Sequence, residues 1–346
     1  MAGKAIGIEV EDAREAYEQC TSNGGVGVQP PSYVEDENNR GGVTISEVHA
    51  YGDVVLRFIS FGGHTGSEGD GAGVSAKEGK AFLGAFLPNF RDVQAGAAVD
   101  ERGNFGLQRA DHVVGNVWDM LESVDHLAGM TGMHEFAEFC AEDIGTVDSG
   151  LNSIVLASNN EMVLLPLNEP TFGTPKKSQI QTYLEQNDGP GLQHMALKTN
   201  DIFRTVRLIR VNAGLGGFDF MDPPGSGYYR QVPERLPSLT VDQVAQLEEL
   251  GLLADKDDEG VILQVFTKPI GDRPTLFFEI IQRIGCSFEA SGGVEEGDWI
   301  QEGGDGAPYF QRGGCGGFGL GNFKALFESI ETYESTLAVG ADQGGA

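Results

Sequence analysis

Two histidines and one glutamate are the residues of this chain best suited to bind a transition metal. His112 begins the strand-like stretch HVVGNVWD, and His194 begins the similar stretch HMALKTND. Glu279 is the one acid in the run TLFFEIIQ, where burying it unpaired would be costly unless a metal ion bound it. Two imidazoles and a carboxylate leave three positions of an octahedral Fe(II) open for a bidentate substrate and O₂. Zn(II) is an alternative that these residue types do not exclude.

Both histidines occupy the same place in a repeated unit. Three segments align without gaps, AIGIEVED, HVVGNVWD and HMALKTND, and they begin with Ala5, His112 and His194. A strand, a helix and a hairpin follow one another in each repeat, which indicates duplicated modules packed side by side. We therefore predict one metal site in the pair of modules that carry a histidine, and none in the first module, where Ala5 replaces it.

The hydrophobic pattern predicts the elements of each module. The predicted strands are 5–12, 43–50, 54–61, 112–119, 151–158, 162–167, 194–201, 261–267 and 275–283. The predicted helices begin after the N-cap residues Asp12, Asp119 and Asp201, and the second of them is expected to reach Phe139. A further helix is predicted in a long insertion, after a capping box formed by Thr240 and Gln243. The stretch between the first helix and the first hairpin is predicted to be a loop.

The C-terminal part of the chain differs from the modules. The segment QRGGCGGFGLGNF (311–323) is a glycine-rich loop that leads into a helix. Phe323, Leu326, Phe327 and Ile330 follow one another at helical spacing and predict an apolar stripe. A helix reached through so many glycines can move as a lid over a site. A docked terminal helix with a flexible approach is the alternative.

Composition limits the possible partners. The 346 residues include 23 Lys and Arg against 52 Asp and Glu, a net charge of -29 that repels nucleic acid and anionic membranes. No apolar run approaches the length of a membrane span, and the N-terminus shows no signal-peptide pattern. The four cysteines, which form no CxxC pair, are Cys20, Cys140, Cys286 and Cys315. They predict reduced thiols and a cytoplasmic location.

Several motifs resemble the 4-hydroxyphenylpyruvate dioxygenase family of the vicinal-oxygen-chelate superfamily. They are DHVVGNV (111–117), HEFAEF (134–139), LNSIVLAS (151–158), LPLNEP (165–170), KSQIQTYLEQNDGPGLQHMAL (177–197), GGFDFM (216–221), FTKPIGDRPTLFFEIIQRIGC (266–286) and GGCGGFGLGNF (313–323). The resemblance covers the chain from residue 5. It implies an α+β fold of repeated βαβββ modules of the glyoxalase-like kind. An open barrel would surround Fe(II), and a gating helix would follow at 322–337.

The resemblance also implies the residues of the site, in three groups. The iron ligands are His112, His194 and Glu279. The residues of the substrate pocket, with Phe266 and Phe323 sandwiching the substrate ring, are Phe266, Phe323, Phe277, Phe318 and Asn322. The polar residues of the catalytic group, which face the phenol end or line the same pocket, are Ser153, Asn168, Gln179, Gln193 and Gln264. For each polar residue the alternative is an ordinary supporting hydrogen bond.

The resemblance divides the chain into three parts. Residues 1–61 match a partial N-terminal domain of one βαβββ module, 62–110 a Gly- and Asp-rich connection, and 111–346 the catalytic domain. Proteins of this family carry a complete module before the segment that matches AIGIEVED, so we expect this chain to start with the second module. A homodimer or homotetramer is expected when the N-terminal domain is complete.

The implied function is a step of tyrosine and phenylalanine catabolism. The enzyme would convert 4-hydroxyphenylpyruvate and O₂ to homogentisate and CO₂ by decarboxylation, ring hydroxylation and side-chain migration. One alternative is a 4-hydroxymandelate synthase, which would hydroxylate the benzylic carbon of the same substrate. The others are an extradiol catechol dioxygenase on the same scaffold and an inactive truncated homologue that serves only as an assembly subunit.

Overall fold

The computed structural model describes the chain in several stretches. They are residues 3–61, 82–84, 86–91, 105–141, 150–215, 218–271, 273–289, 300–302, 308–311, 314–323, 325–327, 329–330 and 333. The chain divides into two compact units. One contains residues 4–99 and 125–132, and the other contains residues 1–3, 100–124 and 133–346.

The smaller unit contains one βαβββ module. Its elements are β1 (Ala5–Glu9), α1 (Ala13–Ser22), β2 (Gly27–Glu35), β3 (Gly42–Tyr51) and β4 (Val54–Ser60). The strands form a sheet in the order β1-β4-β3-β2, in which β1 runs parallel to β4. The Asp12 side chain accepts hydrogen bonds from the backbone N–H groups of Arg14 and Glu15, so it begins α1 as predicted.

Strand β2 corrects the prediction of a loop between α1 and the hairpin. Pro30 and Pro31 interrupt the sequence pattern there, and most of its side chains are exposed. Proline has no N–H group to donate, so it is tolerated in an edge strand. The strand lies at the edge of its sheet, and its register with β3 shifts on both sides of Gln29.

Two further modules follow, and they belong to the larger unit except for residues 125–132, which include most of the first module's helix and belong to the smaller unit. The elements of the first are β5 (Leu107–Asn116), α2 (Met120–Thr131), β6 (His134–Phe139), β7 (Leu151–Ala157) and β8 (Leu164–Pro170). Helix α3 (Gln179–Asn187) follows it. The elements of the second are β9 (Gly191–Thr199), α4 (Ile202–Asn212), α5 (Ser226–Arg235), α6 (Val241–Leu250), β10 (Leu253–Lys256), β11 (Val261–Phe266) and β12 (Phe277–Ile284). Helices α3 and α5 were not predicted from the sequence.

The eight strands of these two modules form one sheet in the order β10-β11-β12-β9-β5-β8-β7-β6. Each half repeats the order of the four-stranded sheet, and the halves meet where β5 and β9 run antiparallel. The predicted repeat of βαβββ modules is therefore confirmed. The predicted caps are confirmed as well, because Asp119 and Asp201 accept hydrogen bonds from the backbone N–H groups of Glu122 and Arg204.

Helix α2 is shorter than predicted. It ends at Thr131, and Gly132 adopts a φ of 77°, a left-handed conformation that glycine tolerates and that ends helices. The segment HEFAEF that follows is strand β6, which pairs antiparallel with β7. His134 and Phe139, predicted to be helical, therefore lie on a strand at the edge of the sheet.

Apolar packing decides which face of the sheet is free for a site. Ile202 and Val206 of α4 and Leu247 of α6 belong to one buried cluster. Ile280 of β12 belongs to the same cluster, so this residue faces the helices. Side chains alternate along a strand, and the neighbouring residues of β12 therefore point to the opposite face of the sheet.

The C-terminal part adds a small separate sheet and a partly helical segment. Three short strands, β13 (Ser287–Glu289), β14 (Ile300–Glu302) and β15 (Pro308–Gln311), form a separate sheet in the order β13-β15-β14. We call residues 314–333 the closing segment. Its described residues comprise a turn at 314–318, a 3₁₀ helix at Leu320–Asn322 and helical backbone at 323, 325–327, 329–330 and 333.

Parts of two predicted segments lie outside the described residues. They are the remainder of the gating helix up to 337 and most of the connection 62–110, although β5 begins within that connection at Leu107. Among the described helices, none has the length and apolar character that crossing a membrane requires.

The contribution of the α4 N-cap to stability can be tested by mutation. Replacing Asp201 with alanine removes the acceptor for the Arg204 N–H group at 3.0 Å. We expect the free energy of unfolding to fall by about 1 kcal/mol, measured by urea denaturation. Asp201→Ser, which keeps a capping oxygen, should retain most of the stability. Equal stability of the alanine variant and the original protein would show that the cap contributes nothing.

Candidate active site

Three neighbouring strands carry the predicted metal ligands. Strand β9 lies between β5 and β12, and its Ala196 pairs with His112 on one side and with Glu279 on the other. His194 lies two residues before Ala196 and pairs with Phe277. Because residues two apart on a strand share a face, all three predicted ligands point to one face of the sheet. It is the face opposite to the one that α4 and α6 cover.

The ligand atoms of the three residues converge. The Oε2 atom of Glu279 lies 3.2 Å from Nε2 of His112 and 3.3 Å from Nε2 of His194. All three residues are buried. A divalent ion with bonds of about 2.0–2.1 Å at right angles would separate neighbouring ligand atoms by about 3 Å. The donor set fits an ion of this kind, and the three residues can therefore hold a metal.

Each imidazole is oriented by the residue that precedes it. Nδ1 of His112 lies 3.0 Å from Oδ1 of Asp111, and Nδ1 of His194 lies 2.8 Å from Oε1 of Gln193. An oxygen partner on Nδ1 holds the proton there and leaves Nε2 free to bind a metal. Both Nε2 atoms face Glu279.

The charges of the group favour an ionised carboxylate. Burial opposes ionisation of Glu279, but the two neighbouring histidines outweigh it and lower the pKa of its carboxyl group. Burial also opposes charge on His112, yet the carboxylates of Glu279 and Asp111 outweigh burial and raise the pKa of this imidazole. For His194 burial prevails and lowers the pKa. Glu279 is thus in the anionic form that a metal ligand needs.

A chain of hydrogen bonds joins Glu279 to the closing segment. Nε2 of Gln264 donates to Oε1 of Glu279 at 2.9 Å, which leaves Oε2 directed at the histidines. Oε1 of Gln264 accepts a hydrogen bond from Nδ2 of Asn322 at 2.8 Å. The Tyr228 hydroxyl then donates to Oδ1 of Asn322 at 2.6 Å. Tyr228 was not predicted, because the inserted helix α5 that carries it has no motif.

One cavity lies beside the three ligands. It is lined by twelve of the thirteen predicted site residues, namely His112, Ser153, Asn168, Gln179, Gln193, His194, Gln264, Phe266, Glu279, Phe318, Asn322 and Phe323. The exception is Phe277, whose ring stacks on the imidazole of His194 with centroids 4.9 Å apart. The structure therefore places Phe277 against His194 and brings the other twelve residues together around the cavity.

Aromatic rings form much of the cavity wall. The rings of Phe318 and His112 pack edge to face with centroids 5.3 Å apart, and those of Phe266 and His194 do so with centroids 6.2 Å apart. The ring centroids of Phe323 and Phe139 lie 5.7 Å apart. Phe139 was not predicted as a residue of the site, because it was assigned to a helix. Such walls can hold a flat aromatic ring without needing polar contacts from it.

Four of the five predicted polar residues lie on strands of the large sheet, and Gln179 lies on a helix. Ser153 of β7 pairs with Asn168 of β8. Nδ2 of Asn168 lies 3.4 Å from Oε1 of Gln193 and 3.3 Å from Oδ1 of Asn116, a residue that was not predicted. Gln179 lies in the first turn of α3 and lines the same cavity. Their roles toward a substrate remain predictions.

Two buried charged residues beside the ligands were also missed. Arg283 donates from Nη2 to Oδ1 of Asp111 at 2.7 Å and from Nε to Oδ2 at 3.0 Å. Both residues are charged and lie within or next to apolar strand sequences, the same signal that identified Glu279. The sequence therefore contained this signal for Arg283 and Asp111, but neither residue had been assigned a metal-binding role.

Curated relatives align with nearly the whole chain. The 4-hydroxyphenylpyruvate dioxygenase of Daucus carota is 46% identical over 347 residues, which cover 100% of this chain and 70% of the carrot protein. The enzyme of the same name from Arabidopsis thaliana is 48% identical over 335 residues, 96% of this chain and 67% of that protein. The one from Yarrowia lipolytica is 34% identical over 95% of this chain and 72% of its own length. No family model matches the chain.

The chain belongs to the 4-hydroxyphenylpyruvate dioxygenase family. It is therefore an enzyme of the oxidoreductase class, as the sequence predicted. Solved structures agree with the fold. A mutant 4-hydroxymandelate synthase from Streptomyces coelicolor has a TM-score of 0.64 at 22% identity, covering 95% of this chain and 76% of that chain. A xylose isomerase-like TIM barrel/4-hydroxyphenylpyruvate dioxygenase fusion protein has a TM-score of 0.53 at 19% identity, covering 95% and 41%.

The prediction that all four cysteines are reduced is wrong, because two of them form a disulfide bond. Cys286, directly after β12, is bonded to Cys315 in the closing segment, and their Cα atoms lie 5.6 Å apart. They are 29 positions apart, and no local sequence pattern indicates a pairing over this separation. Cys20 and Cys140 are not disulfide-bonded, and burial raises the pKa of Cys20 to about 11.

Mass spectrometry can test this pairing. We expect alkylation of the unfolded, unreduced protein to label Cys20 and Cys140, and proteolysis to yield one cross-linked peptide that contains Cys286 and Cys315. Closing a loop of this length stabilises a protein by roughly 3–4 kcal/mol in the chain-entropy model. Cys286→Ser should therefore lower the free energy of unfolding, whereas Cys140→Ser, the control, should leave it nearly unchanged. Four labelled cysteines would contradict the bond.

Proposed function

We propose that this chain catalyses the Fe(II)-dependent conversion of 4-hydroxyphenylpyruvate and O₂ to homogentisate and CO₂. The reaction combines decarboxylation of the keto acid, hydroxylation of the ring and migration of the side chain, as a step of tyrosine and phenylalanine catabolism. The observation that carries the proposal is the buried group of His112, His194 and Glu279 beside a cavity with aromatic walls. The names of relatives at 46% and 48% identity support the choice of substrate.

The ligand group suits iron. Two imidazole nitrogens and one carboxylate oxygen on a single face match the facial arrangement that non-haem Fe(II) oxygenases use. When bound, Fe(II) would supply chelation of the keto acid and activation of O₂, which side chains cannot provide. His112, His194 and Glu279 would hold it, and Gln264 would keep Glu279 bound through one oxygen, because it already donates to the other.

The remaining residues would orient the substrate and exclude water. The rings of Phe266, Phe318 and Phe323 would hold the aromatic ring by its faces and edges. Ser153, Asn168 and Gln193 would face the phenol hydroxyl, whose O–H can donate to an amide or hydroxyl oxygen and accept from an amide N–H. The closing segment would shield the site from solvent, since Phe318, Asn322 and Phe323 all line the cavity.

Oxygen uptake is the experiment that tests the proposal. Purified protein with stoichiometric Fe(II) and ascorbate should consume O₂ only when 4-hydroxyphenylpyruvate is present, and should release one CO₂ per O₂. Homogentisate should be the product in mass spectrometry and NMR. Hydroxymandelate alone would assign the chain to a 4-hydroxymandelate synthase, and turnover of catechols without CO₂ to an extradiol dioxygenase. No O₂ uptake at all would favour an inactive homologue.

Location and assembly belong to the same proposal. The homodimer or homotetramer was predicted for a complete N-terminal domain, and light scattering after gel filtration measures the oligomeric state of this chain. The cytoplasmic location stays a prediction, because its argument from reduced thiols no longer holds for Cys286 and Cys315. Cell fractionation tests it directly.

A further inference from the structure

Arg283 is a fully buried cation four residues beyond Glu279 on the same strand. Its side chain is 0% exposed, and it shares a face of β12 with the glutamate. A buried guanidinium is strongly unfavourable unless its donors are paired. Pairing with this guanidinium therefore holds each of its partner groups in place.

On one side Arg283 holds the carboxylate that orients a metal ligand. Its Nε and Nη2 donate to the two oxygens of Asp111 at 3.0 and 2.7 Å, the bidentate geometry that fixes both partners. Oδ1 of Asp111 is also the partner of His112 Nδ1 at 3.0 Å. Two contacts thus separate the guanidinium from an imidazole whose Nε2 faces Glu279 at 3.2 Å.

On the other side the same guanidinium holds the closing segment. Its Nη1 donates to the backbone carbonyls of Cys315 and Gly317, the latter at 2.7 Å. These carbonyls belong to a turn in which Gly314, Gly316 and Gly317 have φ between 63° and 85°. This left-handed backbone suits glycine. The arginine, the neighbouring disulfide and a hydrogen bond from the Gly317 N–H group to the Gly314 carbonyl at 2.9 Å all hold the turn.

The two sides meet at Phe318. This residue is the last of the turn, and the centroid of its ring lies 5.8 Å from the guanidinium carbon of Arg283. The same ring meets the edge of His112 at 5.3 Å and lines the cavity. His112 is therefore approached from both sides by groups that Arg283 positions, Asp111 at its Nδ1 and Phe318 at its ring.

We propose that Arg283 is a positioning residue that fixes the His112 ligand through Asp111 and the wall residue Phe318 through the glycine turn. Loss of its two-sided geometry would loosen metal binding and the closing segment together. The inference rests on the proposed function only in its choice of a first-row divalent ion, and binding of that ion can be measured without turnover.

The test compares Arg283→Lys with Arg40→Lys. Lysine keeps the charge but cannot form the bidentate pair and reach two carbonyls as well. Arg40 is a matched control, because it is bidentate to the buried Asp36 at 3.1 and 3.0 Å and donates to the Phe90 carbonyl, in the four-stranded unit. Co(II) serves as the probe, since its visible spectrum reports ligand geometry. Chelator competition gives its dissociation constant.

We expect Arg283→Lys to weaken Co(II) binding about 10- to 100-fold, the range typical when a group that orients a metal ligand is lost. The Co(II) spectrum should change, and amide hydrogen exchange at 314–323 should become faster. Arg40→Lys should change none of these three. A folded Arg283→Lys protein with unchanged Co(II) affinity and spectrum would overturn the inference and leave Arg283 a structural ion pair.

Asp111→Asn is the second variant. It keeps an oxygen for His112 Nδ1 but loses the charge that Arg283 pairs with, so we expect a smaller loss of Co(II) affinity than in Arg283→Lys. Should both variants fail to fold, the pair serves the core and the inference is wrong. Failure of the original protein to consume O₂ while it still binds Co(II) would refute the proposed function and leave this inference standing.

Discussion

Glu279→Gln removes keto-acid-dependent O₂ uptake, and we expect a loss of at least roughly a thousandfold, equivalent to about 4 kcal/mol in the barrier. The physical reason is the charge of the ligand. Oε2 of Glu279 lies within 3.3 Å of both histidine Nε2 atoms, and the ionised carboxylate is the only anion of the three-residue group. A neutral amide offers a weaker oxygen, and its NH₂ group would be directed at either the metal or Gln264, which also donates.

The same variant should bind Fe(II) much more weakly, measured by chelator competition, while its thermal unfolding stays cooperative. The control is Glu169→Gln, which changes another strand glutamate of the same sheet. That carboxylate accepts hydrogen bonds from the Met120 N–H group and the Asn152 side chain and does not line the cavity. Activity of Glu279→Gln close to that of Glu169→Gln would remove Glu279 from the ligand set.

The group that could hold a metal was predictable because its three residues obey rules that act within a short stretch of sequence. His112 and His194 begin equivalent strands, each followed by a helix that an aspartate caps, and the fold repeats these strands in one sheet. Glu279 was visible because an acid in an apolar strand needs a partner. The pairing of β9 with both β5 and β12 then brings these residues together. This strand pairing follows from the family resemblance more directly than from the hydrophobic pattern.

The errors came from places where tertiary contacts decide the outcome. Strand β6 has few buried side chains, so its pairing with β7, not its composition, makes HEFAEF a strand. Strand β2 is an edge strand whose prolines imitate a loop. The disulfide between Cys286 and Cys315 and the ion pair between Arg283 and Asp111 join residues 29 and 172 positions apart, and no local pattern reports such distances.

The cavity wall could be predicted only in part, for a related reason. The apolar stripe of the closing segment was apparent from helical spacing, and Phe323, Leu326, Phe327 and Ile330 all line the cavity. What spacing cannot give is the partner of each ring. Phe277 is an example. It lies two residues before Glu279 on the same strand, but its ring stacks on His194 and does not line the cavity.

Phe323→Ala should impair substrate binding far more than metal binding. Phe323 lines the cavity and packs beside a cluster that includes Ile180 and Phe327. Removing the ring face that would hold the substrate deletes an aromatic contact and apolar surface worth about 1–3 kcal/mol. We therefore expect the KM for 4-hydroxyphenylpyruvate to rise roughly 10- to 100-fold, while the dissociation constant of Fe(II) changes less than about twofold.

Two further variants separate the ring from its packing. Phe323→Leu keeps most of the apolar volume against Ile180 but offers no ring face, so its thermal stability should approach that of the original protein while its KM stays high. Phe172→Ala, the control, removes a phenylalanine that is 65% exposed and should change neither quantity. Because Phe323 belongs to the closing segment, a stability loss without a KM change would assign it to holding that segment in place. Equal losses of substrate and Fe(II) binding would have the same meaning, since a ring that only contacts substrate has no effect on the three ligands.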